Sequence, residues 1–217
     1  MGKSLTAQKS TKISIEIFSE SRVIPVLSVF DVQDSIPLAT ALVEGGLNVI
    51  EVTLRTPNAL KVIEKMSEVK DSIVGVGTLL NKKDVENAVE VGAKFGVSPG
   101  ITDDLLDACE ENGLPLVGGV SSISEIMKML ERGYRLVKFF PAEMLGGAKA
   151  LKAIGGPIPQ ALFCPTGGVS SENISEYLAL ENVICVGGSW MATSELIRNK
   201  KWSEIFDQAN HISKLGL

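Results

Sequence analysis

The sequence predicts an α/β fold, a (β/α)8 TIM barrel with an extra N-terminal helix, on three observations. Short runs rich in Val, Ile and Leu recur along the whole chain, and their starts fall 20 to 26 residues apart. Each run is followed by a longer stretch whose apolar residues keep helical spacing. The runs are nearly continuous hydrophobes, as parallel strands covered on both faces must be. An open doubly wound sheet uses the same local signals, but eight units fill 217 residues and leave no space for a second domain, which favours the barrel.

Taken in order, Met1–Lys12 reads as a polar tail with Lys3, Lys9 and Lys12, no acid, and no apolar core of a secretory signal. Its start, Met-Gly-Lys-Ser-Leu-Thr, matches a loose myristoylation pattern that no polybasic patch supports. Residues 13–217 form a single barrel domain, opened by a helix around Ser14–Ser21. The expected strands are Val23–Val29, Val49–Leu54, Val74–Leu79, Phe95–Ser98, Pro115–Val120, Leu136–Phe140, Leu162–Thr166 and Val183–Gly188. The expected helices are Asp34–Glu44, Pro57–Val69, Lys82–Val91, Asp103–Glu111, Ser122–Glu131, Gly147–Ile154, Ser171–Leu180 and Glu195–Leu217. Asn81, Thr102, Ser121 or Ser122, and Ser170 or Ser171 stand where a side chain can cap the free N–H groups of a first turn, and Pro57 fits a first helical position. Gly45, Gly92, Gly113 and Gly133 stand where helices should stop.

Composition narrows the function. With 21 basic and 26 acidic residues the net charge is −5, so there is no electrostatic footprint for gripping nucleic acid. No apolar stretch approaches the roughly 18 residues that cross a bilayer, and the chain reads as soluble and cytoplasmic. Cys109, Cys164 and Cys185 lack any C-x-x-C spacing and suit reduced core thiols. A single histidine, His211, nearly excludes histidine-based metal sites and triads, and neither a metal nor a cofactor is expected.

In a barrel, chemistry sits at the C-terminal ends of the strands. Lys138 lies between Leu136-Val137 and Phe139-Phe140, so its charge would be desolvated within a strand. Burial among apolar groups favours the neutral amine of a lysine, the form that attacks a carbonyl to make a Schiff base. A structural ion pair with a barrel carboxylate explains such a lysine equally. Glu51, Thr53 and Arg55 are spaced by two and share one side of a strand. A carboxylate near the lysine can move protons and a guanidinium at the mouth can hold a substrate carboxylate, or the two can simply pair with each other. Thr166-Gly167-Gly168 and Gly187-Gly188-Ser189 follow the last two strands, where barrels bind phosphate with backbone N–H groups; tight turns are the plain alternative.

Six segments, Glu51-Val-Thr-Leu-Arg-Thr56, Gly75-Val-Gly-Thr-Leu-Leu-Asn81, Val97-Ser-Pro-Gly100, Val137-Lys-Phe-Phe-Pro-Ala-Glu143, Phe163-Cys-Pro-Thr-Gly-Gly168 and Gly187-Gly-Ser-Trp190, together resemble the bacterial KDPG/KHG aldolases. The match runs collinearly from about Ile24 to Trp190. The resemblance implies a class I, metal-independent aldolase of the Entner–Doudoroff pathway. Such an enzyme splits 2-dehydro-3-deoxy-6-phosphogluconate to pyruvate and glyceraldehyde 3-phosphate, and in some members 4-hydroxy-2-oxoglutarate to pyruvate and glyoxylate. By the same resemblance Lys138 matches the Schiff-base lysine and Glu51 the general acid/base. Arg55 and Thr78 match residues that hold the pyruvyl carboxylate, with Thr166 close to the keto acid. Pro99 and Phe140 match apolar walls, and Gly167, Gly168, Gly188 and Ser189 the phosphate-binding end. A homotrimer is implied too. The rival readings are a phosphosugar isomerase or epimerase that forms no imine, and a non-catalytic phosphosugar-binding barrel.

Overall fold

The continuous apolar runs become parallel strands, and the amphipathic stretches between them pack outside as helices. In the computed structural model, which describes residues 4–215, the strands are β1 (Val23–Leu27), β2 (Val49–Thr53), β3 (Ile73–Gly77), β4 (Gly96–Val97), β5 (Leu116–Val117), β6 (Gly119–Val120), β7 (Leu136–Phe139), β8 (Leu162–Pro165) and β9 (Val186–Gly188). Six form one curled sheet in the order β5-β4-β3-β2-β1-β9, and three form another in the order β6-β7-β8. The pairings within both are parallel. Two junctions link the sheets. The expected strand 115–120 is interrupted at Gly118, whose carbonyl accepts from the Lys138 N–H at 2.9 Å. Bridges Phe163↔Val183 and Thr166↔Gly187 join β8 to the chain entering β9.

The helices are α1 (Ala7–Phe18), α2 (Ser35–Glu44), α3 (Ala59–Met66), α4 (Lys82–Glu90), α5 (Asp103–Asn112), α6 (Ile123–Arg132), α7 (Gly147–Gly155), α8 (Ile174–Leu178), α9 (Ser194–Arg198) and α10 (Trp202–Ser213). Asn81, Thr102 and Ser122 cap as expected, the last in a capping box with Glu125. Five expectations change. The first helix starts at Ala7, inside the supposed tail, because Thr6 caps it and its polar Ser10 and Thr11 bury their hydroxyls with partners: Ser10 Oγ accepts from Leu116 N–H, while Thr11 donates to the Gly133 carbonyl and accepts from Arg135 N–H. The last helix is two, broken where Lys200 takes φ +52°. Neither Ser170 nor Ser171 caps α8, whose first turn follows Asn173, and Pro57 lies two residues before α3. After α2, Gly46 takes the left-handed conformation, while Gly45 stays at φ −75° and lets α10 approach, since a Cβ there would stand 2.5 Å from Ala209 Cβ. Met1–Lys3, where the myristoylation-like pattern begins, lies outside the described residues, as do residues 216 and 217.

Alternation along the strands divides the core in two. Leu27, Ile50, Val52, Val76, Val137, Phe139 and Phe163 pack with the helices in the larger cluster. Ile24, Val49, Phe95, Val97, Val117, Leu136, Cys164 and Cys185 form a second cluster on the other strand faces, joined by Phe18 of α1. Phe18 meets the edge of Phe95 at 5.0 Å between ring centres. Helix α1 therefore closes the end at which the strands begin, and this apolar floor lies beneath whatever the same faces carry further along.

Candidate active site

Two residues beyond the floor residues Val49 and Leu136, the same strand faces carry Glu51 and Lys138. Their side chains meet between the two sheets, Lys138 Nζ donating to Glu51 Oε1 at 3.4 Å. Both are buried, Glu51 3% and Lys138 5% exposed. A buried charge pair is held only where neighbours make room and no lone charge is left. Here β3 makes the room: a Cβ on Gly77 would stand 2.2 Å from Glu51 Oε1, so only glycine leaves that face of the strand open to the carboxylate. Lys138 also has the Phe140 ring 5.3 Å from its Nζ, a cation–π contact when the amine is charged.

A cavity of about 330 Å³ opens nearby, lined not by Glu51 or Lys138 themselves but by Val26, the register partner of Glu51, and by Phe140, whose ring Lys138 Nζ faces. Arg55, Phe140, Thr166, Gly167, Gly168, Gly188 and Ser189, all singled out in the sequence, line it. Arg55 is exposed in the turn after β2, Ser189 is exposed after β9, and Thr166 is buried after β8. Thr78 and Pro99 stand at the ends of β3 and β4 and are not part of that lining. Thr78 has φ +65°, a conformation that costs a β-branched residue of order 1–3 kcal/mol and that concentrates at functional sites.

The glycine end is built for close approach. Gly167 and Gly168 take φ +95° and +83°, and a Cβ on Gly168 would meet Glu143 Cγ at 2.5 Å. The loop is held from below: Glu143 N–H donates to the Gly167 carbonyl at 3.1 Å and Asn173 Nδ2 to the Gly168 carbonyl at 3.0 Å. Glu143 in turn accepts a hydrogen bond from the buried Tyr177. Burial, with help from that carboxylate, pushes the Tyr177 hydroxyl above its usual range, so it stays a donor. A Cβ on Gly187 would stand 2.4 Å from Thr166 Oγ1, so β9 can run close beside the end of β8.

Sequence reasoning missed Val26, Ser28, Val169, Thr193 and Ser194, which line the same cavity. Ser28 was legible: it is the one hydroxyl in the apolar run Val23–Val29 and follows Val26 by two. The others follow no polar interruption of a strand.

Against known proteins, the KDPG and KHG aldolase family model matches residues 14–208. A 2-dehydro-3-deoxy-phosphogluconate aldolase of Pseudoalteromonas atlantica is 50% identical over 203 residues, 93% of this chain and 94% of that protein. The KHG/KDPG aldolase of Escherichia coli is 45% identical over 199 residues, 91% of this chain and 93% of its own. Among solved structures, the KDPG aldolase of Legionella pneumophila, with pyruvate captured at low pH as a covalent carbinolamine intermediate, is 46% identical with a TM-score of 0.89, covering 92% of this chain and 98% of that one.

Proposed function

The chain belongs to the KDPG and KHG aldolase family, and from that premise we propose how its own residues carry the reaction. It is a carbon–carbon lyase, a class I aldolase that splits 2-dehydro-3-deoxy-6-phosphogluconate into pyruvate and glyceraldehyde 3-phosphate through a Schiff base. The dual KHG/KDPG naming of the Escherichia coli relative supports 4-hydroxy-2-oxoglutarate as a second substrate. The observation that carries the assignment of roles is the buried contact between Lys138 and Glu51 near a polar cavity.

Lys138, as the neutral amine, adds to the C2 ketone. Glu51, 3.4 Å from it, supplies the proton with which the carbinolamine hydroxyl leaves as water. The iminium then accepts the electron pair of the C3–C4 bond as the C4 hydroxyl passes its proton, directly or through a water, to the Glu51 carboxylate, and glyceraldehyde 3-phosphate leaves an enamine behind. Protonation at C3 and hydrolysis return pyruvate and free Lys138. The cation stands beside the carbon where charge develops, so it stabilises the transition state more than the ground state. Arg55 and Thr78 hold the pyruvyl carboxylate, Thr166 contacts the keto acid, Pro99 and Phe140 wall it in, and the N–H groups of Gly167, Gly168, Gly188 and Ser189 bind the phosphate.

From α1 onward the chain acts as one domain, its start moved from residue 13 to Ala7 because Ser10 and Thr11 are bonded to the barrel, and the two curled sheets make one closed (β/α)8 barrel. The interruption at Gly118, the bridges between β8 and β9, and an ion pair reaching from β2 to β7 all support closure. The protein works as a homotrimer, for which the exposed Phe30, Leu80, Ile123 and Met127 offer apolar surface; sedimentation at three times the 23.1 kDa chain mass tests this. It works in the cytoplasm, where its three buried free cysteines stay reduced. Among the described residues no helix is long and apolar enough to cross a membrane.

Borohydride reduction with pyruvate, followed by peptide mass spectrometry, is the deciding experiment. A single pyruvyl adduct on the peptide carrying Lys138, lost together with turnover in Lys138→Ala, is the expected result. Folded protein without an adduct would point instead to an isomerase, an epimerase or a binding barrel.

A further inference from the structure

Ser28 and Thr53 form a hydroxyl pair whose proton order the structure fixes. Thr53 Oγ1 lies 2.8 Å from the Leu27 carbonyl, which can only accept, so the single Thr53 hydroxyl proton is spent there. Ser28 Oγ lies 2.9 Å from the same Thr53 oxygen. With the Thr53 proton engaged, Ser28 must donate. Thr53 is fully buried, and a swapped order would set two lone pairs against each other at the Leu27 carbonyl. Ser28 is half-buried and lines the cavity, so what it presents there is an oxygen with lone pairs and no proton: an acceptor.

Its place in the fold says what it accepts from. Strand β1 runs between β2, which carries Glu51 and leads into Arg55, and β9, which ends at Gly188 beside Pro25. Val26 pairs in register with Glu51, and Ser28 stands two residues further toward the mouth. Ser28 is therefore flanked by the keto-acid end on one side and the phosphate end on the other. A substrate spanning both ends sets its middle carbons against it. Resting on the aldolase reading above, we propose that Ser28 is a specificity residue. It accepts a hydrogen bond from the substrate hydroxyl on the carbon between the cleaved bond and the phosphate-bearing carbon. In the addition direction this is the 2-hydroxyl of glyceraldehyde 3-phosphate. 4-Hydroxy-2-oxoglutarate has no hydroxyl there.

The test runs the aldol addition of pyruvate to two acceptors, glyceraldehyde 3-phosphate and its 2-deoxy analogue 3-phosphopropanal, with wild type, Ser28→Ala and Ser28→Thr. Wild type prefers the hydroxylated acceptor in kcat/KM. In Ser28→Ala that preference falls by about tenfold, the scale of one hydrogen bond to a neutral donor, almost all of it through glyceraldehyde 3-phosphate. Ser28→Thr keeps the hydroxyl and retains the preference. Equal losses on both acceptors, or an unchanged preference in Ser28→Ala, overturn the proposal. A wild-type protein that adds pyruvate to neither acceptor overturns the aldolase reading instead.

Discussion

At the scale of residues, the energetics turn on one buried pair. Glu51 and Lys138 stabilise each other across 3.4 Å, but neither has solvent to fall back on. Removing one member of such a pair leaves the other charge orphaned, typically at a cost of about 3–5 kcal/mol, whereas replacing both is far milder. Lys138→Met should therefore lower stability by about 3 kcal/mol, and adding Glu51→Gln should recover most of it. Urea midpoints of the two single variants and the double variant form the cycle. A double variant no more stable than Lys138→Met would show that the two side chains do not act as a stabilising pair. These two residues were legible because a charge inside a Val-Ile or Phe-Phe run is costly to bury and so must have either a partner or a task. Ser28 was missed although it is the one hydroxyl in its apolar strand; its role emerges only when Thr53, 25 residues away, is seen beside it. The room for Glu51 was equally hidden, because Gly77 reads as any strand glycine until its missing side chain is found facing the carboxylate.

At the scale of elements, the eight expected strand runs were legible because strands buried on both faces must be apolar throughout. Their boundaries were not: β4 keeps two paired residues of the four expected, and 115–120 splits at Gly118. Local propensity also misplaced α1, whose polar first turns resemble a tail until Leu116 and Gly133 supply partners more than a hundred residues away. That helix yields a sharp expectation. Phe18 is 1% exposed, seals the floor against Phe95 and lies on the far side of the Lys138 layer. Phe18→Ala should cost about 3–5 kcal/mol, as large-to-small changes in closed cores do. Because the floor and the cavity are separate layers, kcat and KM at temperatures well below the melting point should stay at wild-type values. A fall in kcat/KM with no fall in Tm would reverse the assignment, making α1 a part of the site and not of its foundation.

At the scale of the whole molecule, stability should fall on the alkaline side. Burial, reinforced by Glu110, pushes the Cys109 thiol from an ordinary value near 9 up to about 12. Burial likewise raises Cys185, with the neighbouring Cys164 adding to it, and raises Tyr134 and Tyr177, each beside a glutamate. All four lose a proton to become anions, and in the fold all four hold it more tightly than in the unfolded chain. Between the unfolded and folded values the native state binds more protons, so stability is full below about pH 8.5, where unfolded thiols begin to ionise, and falls as pH rises. The cysteines act first and the tyrosines follow above about pH 10. Urea midpoints taken from pH 7 to pH 11 should decline from about pH 8.5 onward. Cys109→Ala should flatten the early part of that decline, although it removes buried volume and lowers the plateau. A Cys109→Ala profile parallel to wild type would show that the early loss belongs to Cys185, or that the Cys109 thiolate is accommodated beside Arg132, the nearby cation that favours it.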